Sequence, residues 1–152
     1  RKSFVGYEKK YWTPQFQVHR MPERPEVFYF IHKRAIYFGM NFVGGFVHDE
    51  KEWHNRHIDQ LNWITYLMMA YKESVDSVIL FGQAEPGPAH SDFINPFVSF
   101  LRNDFPSTIP ILYLCGDSHK WAYTANYKTS NWVKIRLTGG VKEPINRITV
   151  QP

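Results

Sequence analysis

The spacing of hydrophobic positions along this chain changes several times, and each change predicts an element. Residues 27–31 and 35–42 are aromatic and β-branched runs on either side of "HKR", which predicts a hairpin. "VGG" at 43–45 signals a loop. From about residue 52 to 71 the pattern turns helical. Ile58, Leu61, Ile64, Tyr66, Leu67, Met68 and Tyr71 fall mostly three and four apart, with Asp49 as the candidate N-cap. "SVILFG" at 77–82 is a short apolar strand suited to a sheet covered on both faces. A helix is expected over 93–103, begun by Asp92 or by Asn95-Pro96. The next buried strand spans 109–114. Residues 121–127, 132–138 and 145–150 read as antiparallel strands, with "TGG" at 138–140 as a turn. Residues 1–25 show no period and read as an irregular lead-in.

Strand, helix, strand, helix, strand and then strands alone predict an α/β fold, a layered mixed sheet with helices. The segments at 77–82 and 109–114 should be parallel neighbours joined by the 93–103 helix. At 152 residues the chain suits one domain, and no repeat divides it.

Composition narrows the function classes. The net charge is +4, with no run of five like charges, so a nucleic-acid arm is not expected. No apolar run approaches the roughly 20 residues of a membrane span. Cys115 is the single cysteine, which excludes a disulfide within the chain. It precedes the glycine that ends a core strand and reads as a buried thiol. There is no nucleophile elbow and no glycine-rich phosphate loop. Compartment stays open.

The residues with chemical potential sit where core strands stop. Gln83 follows "VILFG", and Asp117 and His119 follow "ILYLC" and Gly116. A Gly-Asp turn is an ordinary way to end a strand. Parallel strands joined by a right-handed crossover, however, bring their carboxyl ends to one edge, where ligands bind in α/β sheets. Oxygen and imidazole donors there would suit a hard or borderline divalent cation. His48, His54 and His57 read as solvated or capping groups without a matching acidic partner. His90 is either a loop histidine or a group at the site mouth. Trp53 and Trp63 read as helix anchors, and Trp121 as packing against the sheet or walling a pocket.

"SVILFGQAEPGPAHSDFINPFVSFL", "IPILYLCGDSHKW" and "NWVKIRLTGGVKEPINRITV" together resemble the carboxyl-terminal half of calcineurin-like metallophosphoesterases. The likeness is strongest to a branch with "QA" after one strand and "GDSH" after the next. "IYFGMNFVGG" and "EWHNRHIDQLNWI" are similar to that branch's preceding strand, loop and helix, so the resemblance covers about residues 16–150. It implies part of a four-layer αββα sandwich and hydrolysis of a phosphate ester by metal-activated water. Gln83 and Asp117 then stand where two histidines bind one metal, and His119 where a histidine binds the other.

The family's amino-terminal motifs, an Asp-x-His, a bridging Gly-Asp and a Gly-Asn-His followed by an acidic residue, have no counterpart in residues 1–76. The resemblance therefore implies a separate amino-terminal segment, or another chain, to complete the domain and supply the bridging carboxylate. A fold kept as a non-catalytic assembly module is the alternative.

Overall fold

The hairpin turns at Lys33, whose φ of 54° is left-handed. The computed structural model describes residues 15–139 and Thr149. The strand β2 (Phe28–His32) pairs antiparallel with β3 (Ala35–Gly39). A two-residue strand β1 (His19–Arg20) adds to its edge, so the lead-in is partly ordered as sheet. Arg24 fixes this lead-in to the first helix, donating to Asp59 at 2.9 Å and Glu52 at 3.0 Å.

Helix α1 spans Glu50–Tyr71. Asp49 caps it, its side chain accepting from the Glu52 amide at 3.0 Å. The buried stripe is His57, Gln60, Leu61, Ile64, Leu67 and Met68, which is one face at helical spacing. Two polar residues thus begin the stripe, and Tyr66 lies outside it in solvent.

Strand β4 (Ser77–Phe81) pairs parallel with β3; β5 (Ile111–Cys115) pairs parallel with β4, and this second pairing is the one the sequence predicts. Helix α2 between them spans Ser91–Asn103. It begins earlier than expected because a 3₁₀ turn at Pro88–His90 runs straight into it. His90 takes the cap position, and Pro96 falls inside the helix on its exposed side. Strand β6 (Ala122–Thr124) pairs antiparallel with β7 (Trp132–Arg136). β6 and β7 thus have the antiparallel arrangement expected of that region, and β7 in turn lies parallel to β5. Residues 145–150, read as a further strand, and the turn at 138–140 lie wholly or partly outside the described residues.

The result is an α/β protein with a seven-strand mixed sheet, ordered β1-β2-β3-β4-β5-β7-β6, and two helices among the described residues. Strand order steps one way from β3 through β5, so two right-handed crossovers deliver both helices to the same face. Ile36, Phe38, Val78, Leu80, Ile111 and Tyr113 point into that layer and share one core with Ile64, Met68, Phe93 and Phe97. The alternate residues Ala35, Ile79 and Leu114 form a second apolar cluster on the other face, beside the partly buried Tyr37, Leu112 and Ile135. No described helix is long and apolar enough to cross a membrane.

Candidate functional site at the carboxyl edge of the parallel strands

The backbone ladder continues beyond the strand ends and ties three loops together. Met40 N donates to Phe81 O at 2.8 Å, and Gly82 N donates to Leu114 O at 3.0 Å. Gln83 then links both sides. Its amide donates to Phe42 O at 2.9 Å, and its carbonyl accepts from Gly116 N at 3.1 Å. The side chain repeats the pattern: Oε1 accepts from Gly44 N at 2.7 Å, and Nε2 donates to Asp117 Oδ1 at 2.5 Å. A carboxamide can accept at one end and donate at the other, which a single loop-bridging position needs. Gln83 is thus a four-point clamp between the loops after β3 and β5.

Little room is left for a side chain at Gly44, opposite this clamp. A Cβ on Gly44 would come within 2.8 Å of Asp117 Oδ2. Gly45, with φ of 109°, adopts a backbone that other residues rarely take. Gly82 lies deeper, where a Cβ would meet Tyr113 Oη at 2.1 Å. That hydroxyl is buried and donates to Ala84 O at 2.7 Å. Gly82→Ala is therefore expected to cost about 1–3 kcal/mol, the range of overpacked cores, read as a lower urea midpoint. A midpoint equal to that of the wild type would show that Tyr113 can move aside freely.

Of the three residues singled out in the sequence, the structure brings Gln83 and Asp117 into direct contact. His119 is exposed on the same loop, so it is not turned into the core. The loop is a turn rather than extended: His119 N donates to Gly116 O at 3.3 Å and His119 has φ of 53°. The His119 ring lies against Gly139, where a Cβ would approach its Cδ2 to 2.7 Å. Thus the turn reading holds at Gly116–His119, and of the expected convergence of Asp117 and His119 with Gln83 only the Asp117 contact is seen. The donors are of the right kind for a hard or borderline cation. Among the described residues, however, no group of three His, Cys, Asp or Glu side chains is placed to hold one.

Beside the clamp, a cleft of about 360 Å³ opens along the strand ends, lined by Glu26, Met40, Phe81, Gln83, Leu114 and Leu137 among others. Cys115 also borders it; burial pushes its thiol up to about 11, so it is held as the neutral form.

Several contributors had little individual signal in the sequence. Glu85 binds Lys134 Nζ at 2.9 Å and Arg136 Nη1, and these two cations hold its carboxyl below the usual range, Arg136 contributing most. Tyr127 Oη donates to Pro86 O at 2.7 Å. The "QAEP" loop is thereby fastened to β7 as well as to β5. Lysine and arginine two apart on one face of a strand were the available hint.

The histidines correct their first reading. His54 does have an acidic partner, Asp92 Oδ2 at 2.9 Å. His57 is neither solvated nor capping: it is buried and hydrogen-bonded to His90, which is buried too. Trp53 anchors α1 by donating to Ala89 O at 3.0 Å, and Trp63 packs partly buried against the main core. Trp121 is 55% exposed and does not line the cleft.

No protein-family model, curated protein or solved structure matches this chain.

Proposed function

We propose that the chain is the carboxyl-terminal part of a calcineurin-like metallophosphoesterase domain of four-layer αββα type. Gln83, Asp117 and His119 would be its contribution to a divalent-metal site for hydrolysis of a phosphate ester. The supporting observation is the Gln83–Asp117 contact across the carboxyl edge of β4 and β5. The remaining ligands, including a bridging carboxylate, would come from an amino-terminal segment or another chain. Such a metal pair would supply polarisation of the phosphoryl group and an acidified water. This chain's residues would hold and orient it: Asp117 as the anionic ligand, Gln83 through its amide oxygen, His119 through its ring. Gln83 would have to give up its bond from Gly44 to do so.

The alternative is a non-catalytic module that keeps the fold. It is favoured by the completeness of the clamp, in which both ends of the Gln83 amide are already satisfied.

Asp117→Asn separates the two readings. An asparagine oxygen can still accept from Gln83 Nε2, so stability should change little, whereas an anionic ligand is lost. In the full-length protein, divalent-metal content and metal-dependent hydrolysis of a generic aryl phosphate should fall at least about tenfold. Full-length protein with neither bound metal nor metal-dependent hydrolysis would leave the module reading standing.

A further inference from the structure

His57 on α1 and His90 on the 3₁₀ turn form a pair of buried imidazoles, with His57 Nε2 and His90 Nδ1 2.9 Å apart. One neutral ring supplies the N–H and the other the lone pair, so the bond is complete without an added proton. The surroundings are apolar. The His90 ring stacks on Phe42, with centroids 4.7 Å apart, and on Trp53 at 5.4 Å. Phe42 also meets His57 edge-on at 5.2 Å. Nδ1 of His57 has no well-formed hydrogen bond among the described residues, only weak help from the Trp53 backbone one turn back.

The charged groups facing the pair do not offset a proton on it. Arg56 faces both rings and opposes their protonation. Asp92 faces His57 and Asp117 faces His90, each favouring the charge. Both acids are already engaged, Asp92 with His54 and Asp117 with Gln83. Stacking on the aromatic rings offsets part of the cost of a buried imidazolium. Burial outweighs it and depresses both histidines, His57 to about 4.

Phe42 connects this cage to the clamp. Its ring belongs to the cage, and its carbonyl accepts from the amides of Gln83 and Ala84. Two residues on, Gly44 N donates to Gln83 Oε1.

We propose that the His57–His90 pair is an acid-operated latch on the Gln83–Asp117 clamp. Protonation places charge in the cage and displaces His90 with its 3₁₀ turn. Phe42 then loses its stacking partner, and its carbonyl no longer holds Gln83 in register with Gly44 and Asp117. The latch is a property of the loops and does not depend on the metal reading.

Nuclear magnetic resonance of the isotope-labelled chain from pH 8 to pH 3 tests it. The His57 and His90 rings should titrate well below the ordinary histidine value of about 6.5. The amide signals of Gly44, Gln83 and Ala84 should shift with the same midpoint, while those of Ile79 and Leu112 stay in place. Asp117→Asn should preserve these shifts, which excludes ionisation of Asp117 as their cause. The paired replacement His57→Leu with His90→Phe should abolish them. The proposal is overturned if both rings titrate near 6.5, if the three amides do not follow the rings, or if their shifts disappear in Asp117→Asn. It is equally overturned if the shifts persist in the paired variant. Should that variant fail to fold, the wild-type and Asp117→Asn titrations still decide.

Discussion

Trp132→Ala should destabilise the protein by about 3–5 kcal/mol, the range for removing a large aromatic from a core that cannot collapse. Trp132 is fully buried and meets Phe97 of α2 edge-on at 5.5 Å and Tyr127 at 5.4 Å. It therefore joins helix, sheet and the loop that fastens Pro86. Its indole N–H finds no hydrogen-bond partner among the described residues. That orphaned donor makes a second result informative. Trp132→Phe removes the N–H and keeps most of the packing, so it should cost clearly less than the alanine variant. Urea denaturation at neutral pH measures both, and equal losses would contradict the account of the orphaned donor.

Acid should weaken the fold in two stages. In the unfolded chain an imidazole takes a proton near pH 6.5, whereas folded His57 resists until about 4, chiefly because it is buried. Between those values the unfolded state binds a proton that the folded state refuses. Stability is therefore greatest above 6.5 and falls with decreasing pH through this window, by about 3 kcal/mol for His57. His90 acts in the same direction. Glu52 supplies the lower stage. Its hydrogen bond with Arg56, aided by Arg24, holds its carboxyl down at about 2 against an ordinary 4.5. Its contribution is complete above 4.5 and is lost as pH falls towards 2. The side chain is 35% exposed, so solvent screens this stage and makes it smaller. Urea midpoints from pH 8 to pH 3 should fall first between 6.5 and 4, and His57→Leu should flatten that segment. A profile level to pH 5 would contradict the first stage.

Much of the architecture was legible because it rests on local periodicity and backbone chemistry. The apolar runs around 77–82 and 109–114, with a helical stretch between, sufficed to expect parallel neighbours, since a crossover leaves little choice of direction or hand. Asp49 followed by a helical period placed the start of α1 within a residue or two, because an N-cap acts over a single turn. The 3₁₀ turn that leads into α2 was missed because it carries no hydrophobic period of its own. The pairing of β7 with β5 was not legible because an isolated strand's pattern does not name its neighbour. β7 lies between β5 and β6, and that placement depends on which edge is open when the chain arrives.

At the candidate site, the sequence by itself determined which polar residues stand where core strands end: Gln83 after β4, and Asp117 and His119 after β5. Strand termination by glycine and the shared edge of parallel strands required nothing more. Only the tertiary structure decided what those residues do to one another. Gln83 meets Asp117 and Gly44 because three loops are laced at hydrogen-bond distance, and His119 settles against Gly139 because its turn takes a left-handed backbone. The pairing of His57 with His90, 33 positions apart, was likewise decided only there. Periodicity reports which face of an element is buried. It carries no information about which polar group from a distant element will share that burial, because that contact is set by the approach of two packed layers.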